Sequence, residues 1–217
     1  MTNSGATLRG IERLAVFNRL RAAVGLRWEL PPLLTSVVLP AGARCLEIGT
    51  GMGWGTVGLL RKDASLAVVT TDYEGPVLER ARAFVREKQP GARVAYARVD
   101  AKALPFLKDR FDFVLSLYVL HHTTGYRATL VELARVLRPG GYLLVIDLMR
   151  PGFLPQLPIS VAPEGVLTEP EWLALFSACG FGIERWQTRY FLGPLPRCSV
   201  VARKLAEPAF AAPQGID

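Results

Sequence analysis

Residues 44–56 read RCLEIGTGMGWGT, a short apolar strand that runs straight into glycines at every second position. Glycine has no Cβ, so Gly49, Gly51 and Gly53 let the main chain bend sharply and lie against a ligand. A helical pattern from Trp54 to Arg61 starts directly behind them and offers unpaired N–H groups in its first turn. In an open parallel sheet, ligands bind beyond the carboxyl ends of the strands where the strand order reverses, and the glycine turn after the first strand is the usual floor. Whether the chain builds such a sheet depends on the segments C-terminal to the glycines.

Those segments alternate steadily between strand and helix. LAVVTTD (66–72) is a second strand, and the next helix takes Pro76 in its first turn and repeats Val77, Ala81, Phe84 and Val85 at helical spacing. ARVAYARVD (92–100) and FDFVLSLYV (111–119) are strands continuous enough to be buried on two faces. A helix with Leu130, Leu133, Ala134 and Leu137 on one side ends at Pro139-Gly140-Gly141, before the strand YLLVIDL (142–148). Strand and helix in alternation predict a parallel sheet covered on both sides. Thr168-Glu169-Pro170-Glu171 reads as a capping box opening a helix that closes near Gly180, and GIERWQTRYFL (182–192) and RCSVVARKL (197–205) pair as a hairpin. The expected fold is α/β: three layers, doubly wound and Rossmann-like, with a mostly parallel seven-stranded sheet and a C-terminal antiparallel strand.

Composition narrows the class. At 217 residues the chain fits one medium domain. No apolar run approaches the roughly eighteen positions of a membrane span, and the N-terminus lacks a signal peptide's apolar block, so a cytoplasmic protein without an integral membrane segment is expected. Cys45, Cys179 and Cys198 lie too far apart in the sequence to suggest a disulfide framework or a zinc site, and buried free thiols are expected. The net charge of +7 is carried by bases scattered through every segment, which fits a generally basic surface better than a nucleic-acid footprint. Residues 1–40 read as a helical extension stopped by Pro31-Pro32, 150–167 as a Pro-rich loop forming a lid or pocket wall, and 206–217 as a loose tail.

The chemistry gathers at the strand ends. Asp72 closes the second strand about twenty residues after the glycines, where a carboxylate accepts both hydroxyl protons of a ribose. Two nucleoside cofactors compete. Gly53-Trp54-Gly55-Thr56-Val57-Gly58 has the spaced glycines of dinucleotide binders, but it starts after the strand has ended rather than at its edge. Glu47, inside the first strand, would repel a pyrophosphate and hold an ammonium or sulfonium, so the electrostatics favour a cationic nucleoside.

LEIGTGMGWGT, TTD, VDAKALPF, FDFVLSLYVLHHT and LRPGGYLLVIDL, in this order and spacing, resemble the motifs of the class I S-adenosylmethionine-dependent methyltransferases, in particular their small-molecule branch of the ubiquinone- and menaquinone-biosynthesis type. The resemblance is close over about residues 43–148 and implies a methyltransferase domain spanning 41–205, which uses S-adenosylmethionine and releases S-adenosylhomocysteine. It implies that Gly49, Thr50, Gly51 and Gly53 pass under the methionine part, with Glu47 orienting its ammonium. Asp72 takes the ribose hydroxyls, Tyr73 lies against the adenine, Asp100 accepts from the adenine amino group and the main chain of Ala101 meets the ring. Ser116 and Leu117 border the methyl group. No metal is implied.

His121 and His122 are adjacent after the fourth strand, so at most one points into the pocket; that one could serve as a general base, since imidazole suits proton transfer near neutrality, but a packing or cofactor-contact role is favoured over catalysis. Tyr118, Tyr126 and Asp147 are weaker candidates, and Trp172 reads as core. Leu148, Met149, Phe153, Leu154, Leu157 and Ile159 make the segment after Asp147 apolar, which suits a small hydrophobic or amphipathic acceptor. A nucleic-acid acceptor is disfavoured because the fourth strand runs into Leu-Tyr-Val-Leu-His-His instead of an Asn- or Asp-Pro-Pro-aromatic turn. A nicotinamide-dependent oxidoreductase and a non-catalytic nucleoside-binding module stay open as rivals, and the oligomeric state is not readable.

Overall fold

Strand and helix segments fall close to where the apolar pattern puts them. The strands are β1 (Arg44–Ile48), β2 (Ala67–Asp72), β3 (Val94–Arg98), β4 (Phe111–Leu117), β5 (Leu137–Leu148), β6 (Phe181–Arg189) and β7 (Arg197–Lys204). The helices are α1 (Pro31–Leu34), α2 (Trp54–Lys62), α3 (Gly75–Lys88), α4 (Tyr126–Val136) and α5 (Glu169–Ala178). The computed structural model describes residues 25–152, 166–190 and 196–206. The N-terminal helix expected over the first residues, the Pro-rich stretch holding Phe153, Leu154, Leu157 and Ile159, and all but the start of the expected tail lie outside the described residues.

The seven strands form one sheet in the order β3-β2-β1-β4-β5-β7-β6, parallel except that β7 runs antiparallel to both β5 and β6. The chain steps outward from β1 to β3 and then returns to β4, so the order reverses between β1 and β4. Side chains alternate across each strand. Cys45, Phe113, Leu115 and Ile146 pack with Val57, Leu60, Phe84 and Val85 of α2 and α3 on one face. Leu46, Ile48, Val114 and Val145 pack with Leu130, Leu133, Trp172 and Phe176 of α4 and α5 on the other. Trp172 is core as expected, with Tyr126 set edge-on against it at 5.3 Å. All three cysteines are free and buried.

The capping box of α5 is present: the Thr168 N–H donates to Glu171 Oε2 at 2.7 Å and its hydroxyl to the same oxygen at 2.8 Å. Several expectations need correcting. A short π-helical segment, Gly25–Glu29, ends just before Pro31-Pro32, and the same prolines open α1, where proline's missing N–H costs nothing in a first turn. Leu137 belongs to β5, and Pro139-Gly140-Gly141 lie inside that strand, where Gly140 takes φ 72° beside a register shift at Phe111/Phe113. β3 is an edge strand with none of its five residues buried, and the connection from β3 to β4 contains no helix. The cover on the second face therefore stops short of that edge. No helix among the described residues is long and apolar enough to cross a membrane.

Candidate functional site

The glycine loop lies at the point where the strand order reverses. The Thr50 N–H donates to the Thr71 carbonyl at 2.8 Å and the Gly53 N–H to the Thr50 carbonyl at 2.7 Å, which pins the loop to β2 and turns it into α2. Gly49, Gly51 and Gly53 take φ of 62°, 52° and 83°, values that side-chain-bearing residues avoid. A Cβ on Gly49 would collide with Val119, and one on Gly53 would press on Val85 and Ala81 of α3. A Cβ on Gly55 would land on Glu47 Oε1. The loop is thus packed tightly by the protein itself, and the dinucleotide-like spacing of Gly53, Gly55 and Gly58 lies at the cap and within α2, not at a strand edge.

Glu47 is 1% exposed and turned beneath this loop. Its Oε2 accepts from the Thr56 hydroxyl at 2.6 Å and from the Thr70 hydroxyl at 2.7 Å, and the Thr56 main-chain N–H also donates to the carboxylate. Gly53 at the N-cap has no side chain to cap α2, so the carboxylate comes from the neighbouring strand. Burial pushes the Glu47 carboxyl up to about 7, against the pull of these hydrogen bonds. The sequence reading missed Thr56 and Thr70. The parallel register, which sets Glu47 opposite Thr70, carries the signal for one of them.

Asp72 sits at the rim, half-buried. Its Oδ2 accepts from the Gly51 N–H at 3.3 Å and its Oδ1 from the Glu74 N–H at 3.1 Å, while burial raises its pKa. Next to it Tyr73 is 40% exposed, with the Arg98 guanidinium 6.0 Å from its ring. At the tip of β3, Asp100 Oδ1 accepts from the Lys102 N–H at 2.9 Å, Lys102 Nζ stands 3.8 Å from Oδ2, and Ala101 is half-buried beside them. Across the reversal, Ser116 and Leu117 end β4 and are buried. Thr50 Oγ1 and Ser116 Oγ are both buried and have no hydrogen-bond partner among the described residues. Buried hydroxyls are normally satisfied, so two orphans at the mouth of a sheet point to a polar ligand.

The turn after β4 holds the two histidines. His121 is buried, with Nδ1 2.5 Å from Asp147 Oδ1, and Asp147 also accepts from the N–H groups of Leu120 and Leu148 at 2.8 and 2.7 Å. The His122 ring lies 3.9 Å from that of His121. Tyr118, one residue past β4, takes φ 58° and donates its hydroxyl to Glu29 Oε2 at 3.1 Å, while Arg197 donates to Glu29 Oε1 at 2.6 Å. Glu29 and Arg197 were not singled out in the sequence. They are 168 positions apart in the chain, and only the folded sheet brings them together.

Residues 46–145 match the family described as methyltransferase domain. Over 130 residues the chain is 34% identical to a ubiquinone/menaquinone biosynthesis C-methyltransferase of Ectopseudomonas mendocina, covering 58% of this chain and 49% of that protein. The chain spans about half the length of the curated relatives it matches. Among solved structures, a methyltransferase of Methanosarcina mazei superposes with a TM-score of 0.68 at 21% identity, covering 82% of this chain and 99% of that one. The cyclase SpnF superposes at 0.71 with 22% identity, covering 80% and 78%. Over residues 46–145 the chain is thus similar to methyltransferase domains, and its fold is one that solved methyltransferases share. The Methanosarcina mazei and Aquifex aeolicus proteins of this fold, each 21% identical to the chain, are described as methyltransferases dependent on S-adenosylmethionine. The two orphaned hydroxyls, the rim carboxylate and the glycine turn fit that cofactor.

Proposed function

We propose that this chain transfers a methyl group from S-adenosylmethionine to a small hydrophobic or amphipathic metabolite. The observation that carries the reading is the pair of unpartnered buried hydroxyls on either side of the reversal point, Thr50 in the loop after β1 and Ser116 at the end of β4. In this reading Gly49, Thr50, Gly51 and Gly53 hold the methionine part, and Asp72 accepts from the ribose. Tyr73, Asp100 and Ala101 hold the adenine, and Ser116 and Leu117 border the methyl group. Glu47 keeps a carboxylate beneath the ammonium while it holds the loop in shape. The bound cofactor supplies a methyl group on a sulfonium, which an O, N, S or C nucleophile displaces in line as the C–S bond breaks and a neutral thioether leaves.

The chain's own contribution is to hold the nucleophile close and collinear, an effect worth ~7–11 kcal/mol. Where the acceptor carries a proton, His121 takes it at Nε2, because Nδ1 is held by Asp147; Asp147 is then a positioning residue. His121→Gln is expected to lower kcat by about 10² to 10⁴ without changing cofactor affinity. Asp147→Asn should lower kcat in the same direction, also without changing cofactor affinity. Equal kcat values in all three proteins would remove both residues from the reaction.

The acceptor class rests on the apolar segment after Asp147 and on the relative that acts in quinone biosynthesis. The test is to incubate the purified chain with donor labelled in the methyl group and a metabolite extract containing quinone precursors and lipids, then identify the labelled product. A labelled apolar or amphipathic product is expected. Label found only in highly polar acceptors or in nucleic acid would overturn the acceptor class, and no turnover beside normal S-adenosylhomocysteine binding would favour a binding module.

A further inference from the structure

The bare patch left by the helix-free β3–β4 connection is not flat. A cavity of about 540 Å³ opens on it, with Val69, Ala95 and Phe106 among its walls and Arg44, Arg93 and Arg110 around them. These arginines stand at or just before the first residues of β1, β3 and β4, so the cavity lies at the amino ends of the strands. The glycine loop is at the other end, separated by the length of β1, roughly 13 Å. The volume lies in the range of small-molecule sites, about 300–1,000 Å³.

Charge decides what would enter it. Among the described residues, no acidic side chain lines the cavity. Arg44 is 4.0 Å from Asp112, whose other oxygen is held by Arg138 at 2.7 Å, and Arg93 and Arg110 form no ion pair with a described residue. Guanidinium groups over a low-dielectric wall attract an anion more strongly than the same groups over open surface. Their planar donor forks match a carboxylate in two-point contact. The apolar wall in turn excludes a compact, fully hydrated anion such as inorganic phosphate as the preferred occupant, because such an ion leaves Val69 and Phe106 in water.

We propose that this cavity is a second ligand site, which binds a small anionic amphiphile of the medium-chain carboxylate type. The chain lies against Val69, Ala95 and Phe106, and the carboxylate sits among the arginines, chiefly Arg93 and Arg110. The site uses none of the residues of the cofactor end, so it stands or falls independently of methyl transfer.

Calorimetric titration of the full chain with decanoate, kept below its micelle concentration, tests the proposal. One decanoate per chain is expected, with decanol and decyltrimethylammonium each at least tenfold weaker. The double variant Arg93→Ala/Arg110→Ala should bind decanoate at least tenfold more weakly, and Ala95→Trp, which fills the cavity from an exposed edge-strand position, should abolish binding. Both variants should keep a cooperative melt and the wild-type thermal shift with S-adenosylhomocysteine. Equal affinity for decanoate and decanol, variants that bind like the wild type, or displacement of decanoate by S-adenosylhomocysteine would each overturn the site. So would binding to phosphatidylglycerol vesicles without binding to monomeric decanoate. A wild-type chain that binds decanoate as expected but ignores S-adenosylhomocysteine would sink the proposed function and leave this site standing.

Discussion

The region beneath the glycine loop and the region along its rim each centre on a carboxylate, Glu47 on β1 and Asp72 on the adjacent β2. Beneath the loop, Glu47 is enclosed and its donors are all protein groups: two threonine hydroxyls and a helix N–H. At the rim, Asp72 takes the main-chain N–H groups of Gly51, Glu74 and Tyr73 and is left half-buried, with acceptor capacity to spare on its exposed side, since a carboxylate offers about four lone-pair sites. Two acids one strand apart can therefore serve different ends, one enclosed and bound chiefly into the fold and one open at the rim to direct contact with a ligand. The depth of the side chain and the kind of donor, buried hydroxyls for one and main-chain N–H groups alone for the other, separate them.

The largest effect expected from this contrast is on stability. Glu47→Ala would leave the Thr56 and Thr70 hydroxyls and the Thr56 N–H without their acceptor and open a cavity under the loop. Each unsatisfied buried group costs about 1–3 kcal/mol, offset in part by removal of a desolvated charge, so a net loss of roughly 4 kcal/mol is expected in urea denaturation. Glu47→Gln keeps an oxygen for the hydroxyls and should lose less than half of that. If Asp72→Ala proves as costly as Glu47→Ala, the division between fold and ligand acids fails.

Next in size is a pH dependence. Burial raises the Glu47 carboxyl from 4.5 to about 7, so the folded chain holds a proton that the unfolded chain has lost between these values. The sign follows from the acid being raised: the stability it contributes is fully present below pH 4.5 and is lost as pH rises through about 7. The span corresponds to about 3 kcal/mol. Denaturation of the wild type should show this decline, and Glu47→Gln should lack that share of it; parallel curves for the two proteins would mean that Glu47 does not titrate in this range.

That result bears on what could be read from the sequence. The strands, the helices α2 to α5, the hairpin and the capping box were legible because each is fixed by local periodicity and turn chemistry. The reversal point was legible because β1 ends in glycines and β2 in Asp72. Glu47 was legible as a buried acid beside the loop, but its partners were not: they depend on the parallel register that faces it with Thr70 and on the approach of the α2 end. Leu137 fitted both a helix face and a strand start, and its pairing with Phe111 decided for the strand. The pairings of His121 with Asp147 and of Glu29 with Arg197 join segments far apart in the chain, for which no local pattern exists.

A third prediction concerns the rim. Asp72→Asn keeps one oxygen for a main-chain donor, so unfolding free energy should change by no more than about 1 kcal/mol. Affinity for S-adenosylhomocysteine, followed by calorimetry, should fall at least tenfold if this carboxylate accepts from the ribose, because the amide retains only half of the acceptor set. A variant that binds as well as the wild type would move the ribose contact elsewhere.

The smallest effect is the most diagnostic, because its two halves have opposite signs. Ser116 Oγ is buried and unpartnered, so in the ligand-free chain the hydroxyl is a liability. Ser116→Ala should therefore leave the ligand-free protein as stable as the wild type or more stable, by up to about 1 kcal/mol. If the same hydroxyl meets a polar group of the bound cofactor, the variant should give a smaller thermal shift with S-adenosylhomocysteine, since the gain in the free state and the lost contact in the bound state both reduce it. A destabilised variant with an unchanged ligand shift would mean that Ser116 is satisfied within the fold, and the cofactor reading would then have to rest on Thr50 and Asp72 alone.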